Sequence, residues 1–237
     1  MTIRLVVFDM AGTTVKDNDD VSKALIAAFA QVGIPIGLTE TNPVMGYPKP
    51  VAVRLLLQEH WPDAAQITPE LVAKVHTLYL QAMIRFYQTD PDVQEAAGAS
   101  ETFAALKKQG IRVALDTGFD RATADVLLNR LGWQKHGLID TSVTSDEVQQ
   151  GRPYPDMIFE AMRRTGVDQV AQVAKVGDTP SDLQQGSCAG CRYVIGVTRG
   201  SHSAAALAQE PHTHLIEHLP ELLAILTEEN EFTFSQD

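Results

Sequence analysis

Asp9 ends the apolar run Leu5-Val6-Val7-Phe8 and opens onto Met10-Ala11-Gly12-Thr13-Thr14. A carboxylate placed there serves as a nucleophile or as a metal ligand. A second acidic pair follows another apolar run, in Gly177-Asp178-Thr179-Pro180-Ser181-Asp182. Mg²⁺ takes hard oxygen donors and keeps several waters, so two carboxylates and a phosphate group suffice to hold it. Ser181 or Asp182 also suits the N-cap of the helix that starts there, and capping is compatible with metal binding. Thr117 ends a third apolar run, and its hydroxyl and the neighbouring amides are donors for a phosphoryl oxygen. Gly151-Arg152-Pro153-Tyr154-Pro155 fixes an arginine between rigid residues. That suits a charge-assisted grip on an oxyanion.

These residues need elements that bring them together. Leu5–Phe8 is Val-rich and uninterrupted, as in a strand buried on both faces. From about residue 98 helix and strand alternate: helix 100–109, strand Ile111–Leu115, helix 121–131, helix 154–165, strand Val170–Val176, helix 181–188 and strand Tyr193–Val197. Gly110, Gly132 and Gly166 stop three of the helices. A last helix starts near Leu219, with Pro220 suited to its first position, and runs to about Glu228. Alternation of this kind implies a mostly parallel sheet with right-handed crossovers. Ligands of such sheets sit beyond the carboxyl ends of the strands. Asp9, Thr117 and Asp178 are all strand ends, so one rim gathers them.

Residues 16–95 interrupt this rhythm and show no strand pattern. Val21, Leu25, Ala28, Phe29 and Val32 recur at helical spacing, and Gly33 and Pro35 end that helix. Thr68-Pro69 starts another, with Leu71, Val75, Leu78 and Ala82 on one face. Between them Pro43–Pro50 reads as a rigid loop, followed by the apolar helical run Val51–Leu57. The expected architecture is α/β: a Rossmann-like parallel-sheet core from residues 1–15 and 96–237, with an all-helical cap from 16–95 inserted over the rim.

Composition narrows the partners. The 237 residues include 19 Lys and Arg against 30 Asp and Glu, a net charge of −11. No nucleic acid is expected as partner, since binding one needs a basic face. The same charge argues against an anionic membrane surface as partner, and no apolar run is long enough to span a bilayer. The start, Met1-Thr2-Ile3-Arg4, lacks a secretory leader pattern. A cytoplasmic protein is expected. Part of the acidity lies in a tail carrying Glu228, Glu229, Glu231 and Asp237. Cys188 and Cys191 have redox spacing but read better as small core residues, and His212 and His214 read as a surface loop. Phe86-Tyr87 reads as packing at the end of a cap helix.

Taken in order, Asp9-Met-Ala-Gly-Thr, Thr117, Gly-Arg-Pro-Tyr-Pro and Val-Gly-Asp-Thr-Pro-Ser-Asp resemble the four motifs of the haloacid dehalogenase superfamily, over essentially the whole chain. Within it the chain is most similar to the phosphonatases, the phosphonoacetaldehyde hydrolases. Superfamily phosphatases carry an acid two residues after the nucleophile; here Ala11 stands there, as in phosphonatases. Phosphonatases also use Arg in the third motif, matching Arg152, and a cap motif Met-Gly-x-x-Lys, matching Met45-Gly46-Tyr47-Pro48-Lys49. The resemblance implies that Asp9 attacks phosphorus and that Lys49 forms a Schiff base with the substrate aldehyde. It implies Mg²⁺ held by Asp9, the carbonyl of Ala11 and Asp178, with Asp182 ordering a metal-bound water or a neighbouring cation. It implies substrate contacts from Gly12, Met45, Gly46, Thr117, Gly118 and Arg152, and a homodimer paired through the cap.

The absent acid and the cap lysine form one coherent change. An ester releases an alkoxide that needs a proton, whereas an unactivated P–C bond releases a carbanion that a protonated imine can accept. Two features depart from the pattern. Ala52 stands where phosphonatases carry a proton-relaying His, and Pro48 and Pro50 flank Lys49. A second reading stays open: a phosphatase acting on a small phosphate ester, with Lys49 an electrostatic contact.

Overall fold

The computed structural model describes residues 2–233. Asp237 lies outside them, and the side chains of Glu228, Glu229 and Glu231 are likewise outside what is described. Six parallel strands are described: β1 (Leu5–Asp9), β2 (Arg112–Thr117), β3 (Thr141–Thr144), β4 (Val173–Gly177), β5 (Tyr193–Val197) and β6 (His214–Ile216), in the order β3-β2-β1-β4-β5-β6. The helices are α1 (Asp20–Ala30), α2 (Leu38–Thr41), α3 (Lys49–His60), α4 (Pro69–Thr89), α5 (Ala99–Lys108), α6 (Arg121–Leu131), α7 (Asp156–Thr165), α8 (Pro180–Ala189), α9 (Ala204–Leu207) and α10 (Glu221–Thr233).

β1 lies between β2 and β4 and buries all five residues, which is why it reads as a continuous apolar run. Its side chains alternate between two layers. Val6 and Phe8 join the layer of α5 and α6, and Leu5 and Val7 meet Met157, Ile158 and Ala161 of α7. Phe103 meets Phe8 on one side and Trp133 on the other, both edge to face with ring centroids 5.2 Å apart. Phe103→Ala empties the centre of that row and is expected to cost about 3–5 kcal/mol, read as a lower urea midpoint with an unchanged slope.

Helix ends follow their caps. Asp120 accepts the Thr123 N–H at 3.0 Å, and Gly132, with φ +71, closes α6 at the expected residues. Thr68 caps α4 by accepting the Leu71 N–H at 3.3 Å, with Pro69 in the first turn.

Several expectations are corrected. β3 was not expected, because Thr-Ser-Val-Thr lacks an apolar run. His214 opens β6 instead of lying in a loop, and its ring rests against Tyr193. β4 begins at Val173, after a 3₁₀ turn at Val170–Gln172, and α7 begins at Asp156. The stripe α4 buries is Val72, Val75, Tyr79, Met83 and Tyr87; it is rotated from the expected one because α4 packs on α1, α3 and α6 together. Tyr87 does not merely pack at the helix end: it crosses to Phe119, their ring centroids 5.8 Å apart. Cys188 is exposed and Cys191 half-buried; neither is in a disulfide, and burial pushes the Cys191 thiol up to about 12. No described helix is long and apolar enough to cross a membrane.

Candidate active site

Asp9 stands at the carboxyl end of β1, opposite Asp116 of β2, and is only 4% exposed. The loop after it turns back at Gly12, with φ +89, and touches the segment after β4. A Cβ on Gly12 would lie 2.2 Å from Asp178 Oδ2, so only glycine permits this approach. Thr13 Oγ1 donates to Asp178 Oδ1 at 3.0 Å, and the Ser201 N–H donates to Oδ2 at 2.6 Å. Asp182, in the first turn of α8, is held by Thr179, whose hydroxyl donates to Oδ2 at 2.5 Å and whose N–H does so at 3.2 Å. Capping and site-building thus share one residue.

Carboxylate oxygens of Asp9, Asp178 and Asp182 lie within 4.8 Å of one another, all buried. Burial raises the Asp9 carboxyl to about 8; Arg152 opposes, and Asp182 and Asp178 add to the rise. Burial and Asp182 raise Asp178 to about 6. Burial acts on Asp182 too, but Arg152 and Lys175 outweigh it and hold that carboxyl low. Three buried hard-oxygen donors short of positive charge are what a small divalent cation relieves, so this set fits Mg²⁺.

Arg152 reaches under the rim. Its Nη2 lies 2.7 Å from Asp9 Oδ1 and 2.5 Å from Asp116 Oδ1, and Nη1 lies 3.1 Å from Asp182 Oδ1. Asp9 and Asp182 were singled out in the sequence; Asp116 and the second cation beside it were not. Lys175, fully buried in β4, pairs with Asp116 and lies 3.0 Å from Asp182 Oδ1. A lysine inside an otherwise apolar buried strand was the available signal. Lys175→Met leaves the two acids short of a cation and is expected to destabilise by about 3–5 kcal/mol, measured by chemical denaturation.

Over the rim, Met45, Gly46 and Lys49 come down from the helical segment. Lys49 does not lie in the expected loop: it is the first residue of α3, with Pro48 before it. Gly46, with φ +80, lets this turn close on the core, since a Cβ there would lie 2.2 Å from Ser181 Oγ. Asp9, Ala11, Met45, Gly46, Lys49, Thr117, Gly118 and Arg152, all singled out in the sequence, line one cavity. Asp17, Val21, Phe119, Thr179 and Ser201 complete it and were not singled out. Gly12 lies outside it, against Asp178. The cavity admits water centres over only ≈ 20 Å³, about one water.

Lys49 is 4% exposed; its Nζ donates to the Tyr47 carbonyl at 3.3 Å and lies 5.8 Å from the Phe119 ring centroid. Burial lowers its ammonium to about 8, Arg152 adds to this, and Asp9 and Asp17 oppose it. The Phe119 N–H donates to Thr117 Oγ1 at 3.2 Å, which leaves the hydroxyl proton free to be given elsewhere.

A family model for haloacid dehalogenase-like hydrolases matches residues 3–190. A phosphonoacetaldehyde hydrolase of Bacteroides fragilis is 33% identical over 221 residues, 89% of this chain and 81% of the relative. One of Bacillus cereus is 32% identical over 213 residues, 85% and 78%. A phosphonoacetaldehyde hydrolase-like protein of Oleispira antarctica, 21% identical, superposes with TM-score 0.86, covering 100% of this chain and 96% of that one. A phosphoglycolate phosphatase, so named by prediction, from Haemophilus somnus, 20% identical, reaches 0.80 over 95% and 98%. These structures share the fold, and the sequence matches carry the family: the chain belongs to the haloacid dehalogenase-like hydrolases.

Proposed function

We propose that the enzyme hydrolyses the P–C bond of phosphonoacetaldehyde to acetaldehyde and phosphate, with Mg²⁺ as cofactor. The observation that carries this is Lys49: a buried amine with its proton affinity lowered to about 8, sharing one cavity with Asp9, while position 11 holds Ala.

At pH 7.5 a lysine of that affinity is about one quarter neutral, against about 0.1% for an unperturbed one. The neutral Lys49 amine adds to the aldehyde carbon and, with loss of water, gives an iminium. The Thr117 hydroxyl, the amide after it at Gly118, and Arg152 bind the phosphoryl oxygens. Asp9 attacks phosphorus opposite the carbon; the P–C electrons move into the iminium, giving a neutral enamine and an aspartyl-phosphate. Water hydrolyses both. Asp9, the Ala11 carbonyl and Asp178, with Asp182 behind, would hold Mg²⁺, which would supply positive charge where phosphoryl charge gathers. Gly12, Met45 and Gly46 shape the walls.

On this reading residues 16–95 are a cap that opens and closes over a core of 1–15 and 96–237. Chains pair through that cap, and the enzyme works in the cytoplasm on a small free phosphonate.

One observation favours the second reading, hydrolysis of a small phosphate ester. Ala52, one turn along α3 from Lys49, is buried and offers no proton carrier. Phosphate release from phosphonoacetaldehyde and from small phosphate esters, each with Mg²⁺ and with EDTA, separates the two. Expected are aldehyde turnover lost in EDTA and restored by Mg²⁺, and ester turnover slower by about 100-fold or more. Faster ester turnover, further raised by Ala11→Asp, supports the second reading.

A further inference from the structure

Imine formation at Lys49 needs a proton donor that nothing above supplies. Among the residues lining the cavity, those that titrate are Asp9, Asp17, Lys49 and Arg152. Asp9 is committed to phosphorus. Arg152 keeps its proton, since Asp116, Asp182 and Asp9 more than offset its burial. Lys49 is the amine itself. Asp17 is the acid that remains.

Its position is distinctive. Beside the small cavity that holds Lys49 lies a larger cleft of ≈ 340 Å³, lined by Gly12, Thr13, Lys16, Asn18, Glu95 and Arg199 among others. Asp17 is common to the two linings. It therefore stands where the small cavity that holds Lys49 meets a cleft large enough for many waters. A group so placed can pass a proton inward and recover one from the water of the cleft. One of its oxygens is fixed: Oδ1 accepts the Asp20 N–H at 2.6 Å, at the start of α1. Burial pushes its carboxyl up; Asp20 and Asp19 add to this, and the N–H groups of Asp20 and Val21 oppose it.

We infer that Asp17 is the proton donor for imine formation on Lys49 and the proton acceptor when the imine is hydrolysed. Amine addition to the aldehyde gives a neutral carbinolamine. The C–O bond then breaks: the hydroxyl leaves as water with the Asp17 proton, the nitrogen lone pair forms the C=N bond, and Asp17 is left a carboxylate beside the iminium. After P–C cleavage a water protonates the enamine carbon, and the hydroxide this leaves is neutralised by the proton that hydrolysis of the aspartyl-phosphate releases. A second water adds to the new iminium, and Asp17 takes that water's proton and returns to its starting state. The resulting carbinolamine passes its hydroxyl proton to nitrogen, the C–N bond breaks, and acetaldehyde and the free Lys49 amine are released. Carboxylic acids in this role contribute about 10²–10⁴-fold.

This inference rests on the imine reading proposed above, so the test scores both. Wild type, Asp17→Asn and Asp17→Glu are mixed with phosphonoacetaldehyde, quenched with borohydride at timed intervals, and the Lys49 adduct is quantified by mass spectrometry. Asn keeps an acceptor for the Asp20 N–H, so α1 keeps its start, and Glu keeps the acid. Expected is adduct formation slowed by about 100-fold in Asp17→Asn, within about tenfold of wild type in Asp17→Glu, and partly restored to Asp17→Asn by added formate. Equal rates in wild type and Asp17→Asn overturn the assignment and leave the imine reading standing. Equal slowing in both variants without formate rescue marks a structural role and also overturns it. No adduct in wild type removes the imine reading and this inference with it.

Discussion

Asp9→Asn is expected to abolish phosphate release, by about 10,000-fold or more, while the protein remains folded. The amide is nearly the size of the carboxylate and keeps an oxygen toward Arg152, but it cannot form an acyl phosphate. Folding is not expected to suffer. Burial raises the Asp9 carboxyl to about 8 against the pull of Arg152, and the neighbouring Asp182 and Asp178 add to the rise. Ionising it inside the fold therefore costs stability, and the sign is clear. An acid whose folded affinity is raised binds its proton in the fold over the interval from 3.8 to about 8, so stability falls as pH rises through that range. The Asn variant escapes that loss. In EDTA at pH 8 its melting temperature should match or exceed that of wild type, and the advantage should vanish below about pH 4. Mg²⁺ should raise the melting temperature of wild type more than that of the variant. A variant that melts well below wild type in EDTA would show that the Arg152–Asp9 pair stabilises the fold, against this account.

Lys49→Arg carries the second large effect. Arginine keeps the positive charge and most of the reach but has no neutral amine to offer at working pH. If Lys49 only contacts the phosphoryl group, the substitution costs about tenfold or less. If it forms the imine, P–C cleavage is lost by about 10,000-fold or more, because no electron sink remains. Aspartyl-phosphate formation from an activated donor such as acetyl phosphate does not need the imine and should survive within about tenfold. Wild-type pH dependence gives a second handle. Adduct formation should rise with pH as the amine becomes neutral and level off above about 8. An unperturbed lysine would keep the rate climbing towards 10.5.

Much of this is legible in the sequence because it depends on local rules. β1 is apolar on both faces, so its run is unbroken; the bounds of α6 follow from Asp120 and Gly132. Asp9, Thr117 and Asp178 were legible because parallel sheets collect function at strand ends. What stayed hidden depends on tertiary placement. β3 is mostly hydroxyl residues at a sheet edge, and β6 has three residues, so neither shows a strand pattern. Lys175 lies inside the expected strand Val170–Val176, and only the fold sets Asp116 and Asp182 around it. Asp17 sits among Lys16, Asp19 and Asp20 and reads as solvated surface until the two cavities are seen on either side of it. The buried stripe of α4 is rotated from the expected one, sharing only Val75 with it, because α1, α3 and α6 together decide which face is covered.

The central claim is that Lys49 joins covalently to the substrate. The most direct measurement is to incubate the enzyme with phosphonoacetaldehyde and Mg²⁺, reduce with borohydride, and map the modified residue by tandem mass spectrometry while phosphate is assayed in parallel. The account predicts a single stable adduct on Lys49, absent from Lys49→Arg, with phosphate released by the unreduced enzyme. Phosphate release with no adduct on Lys49 would contradict it.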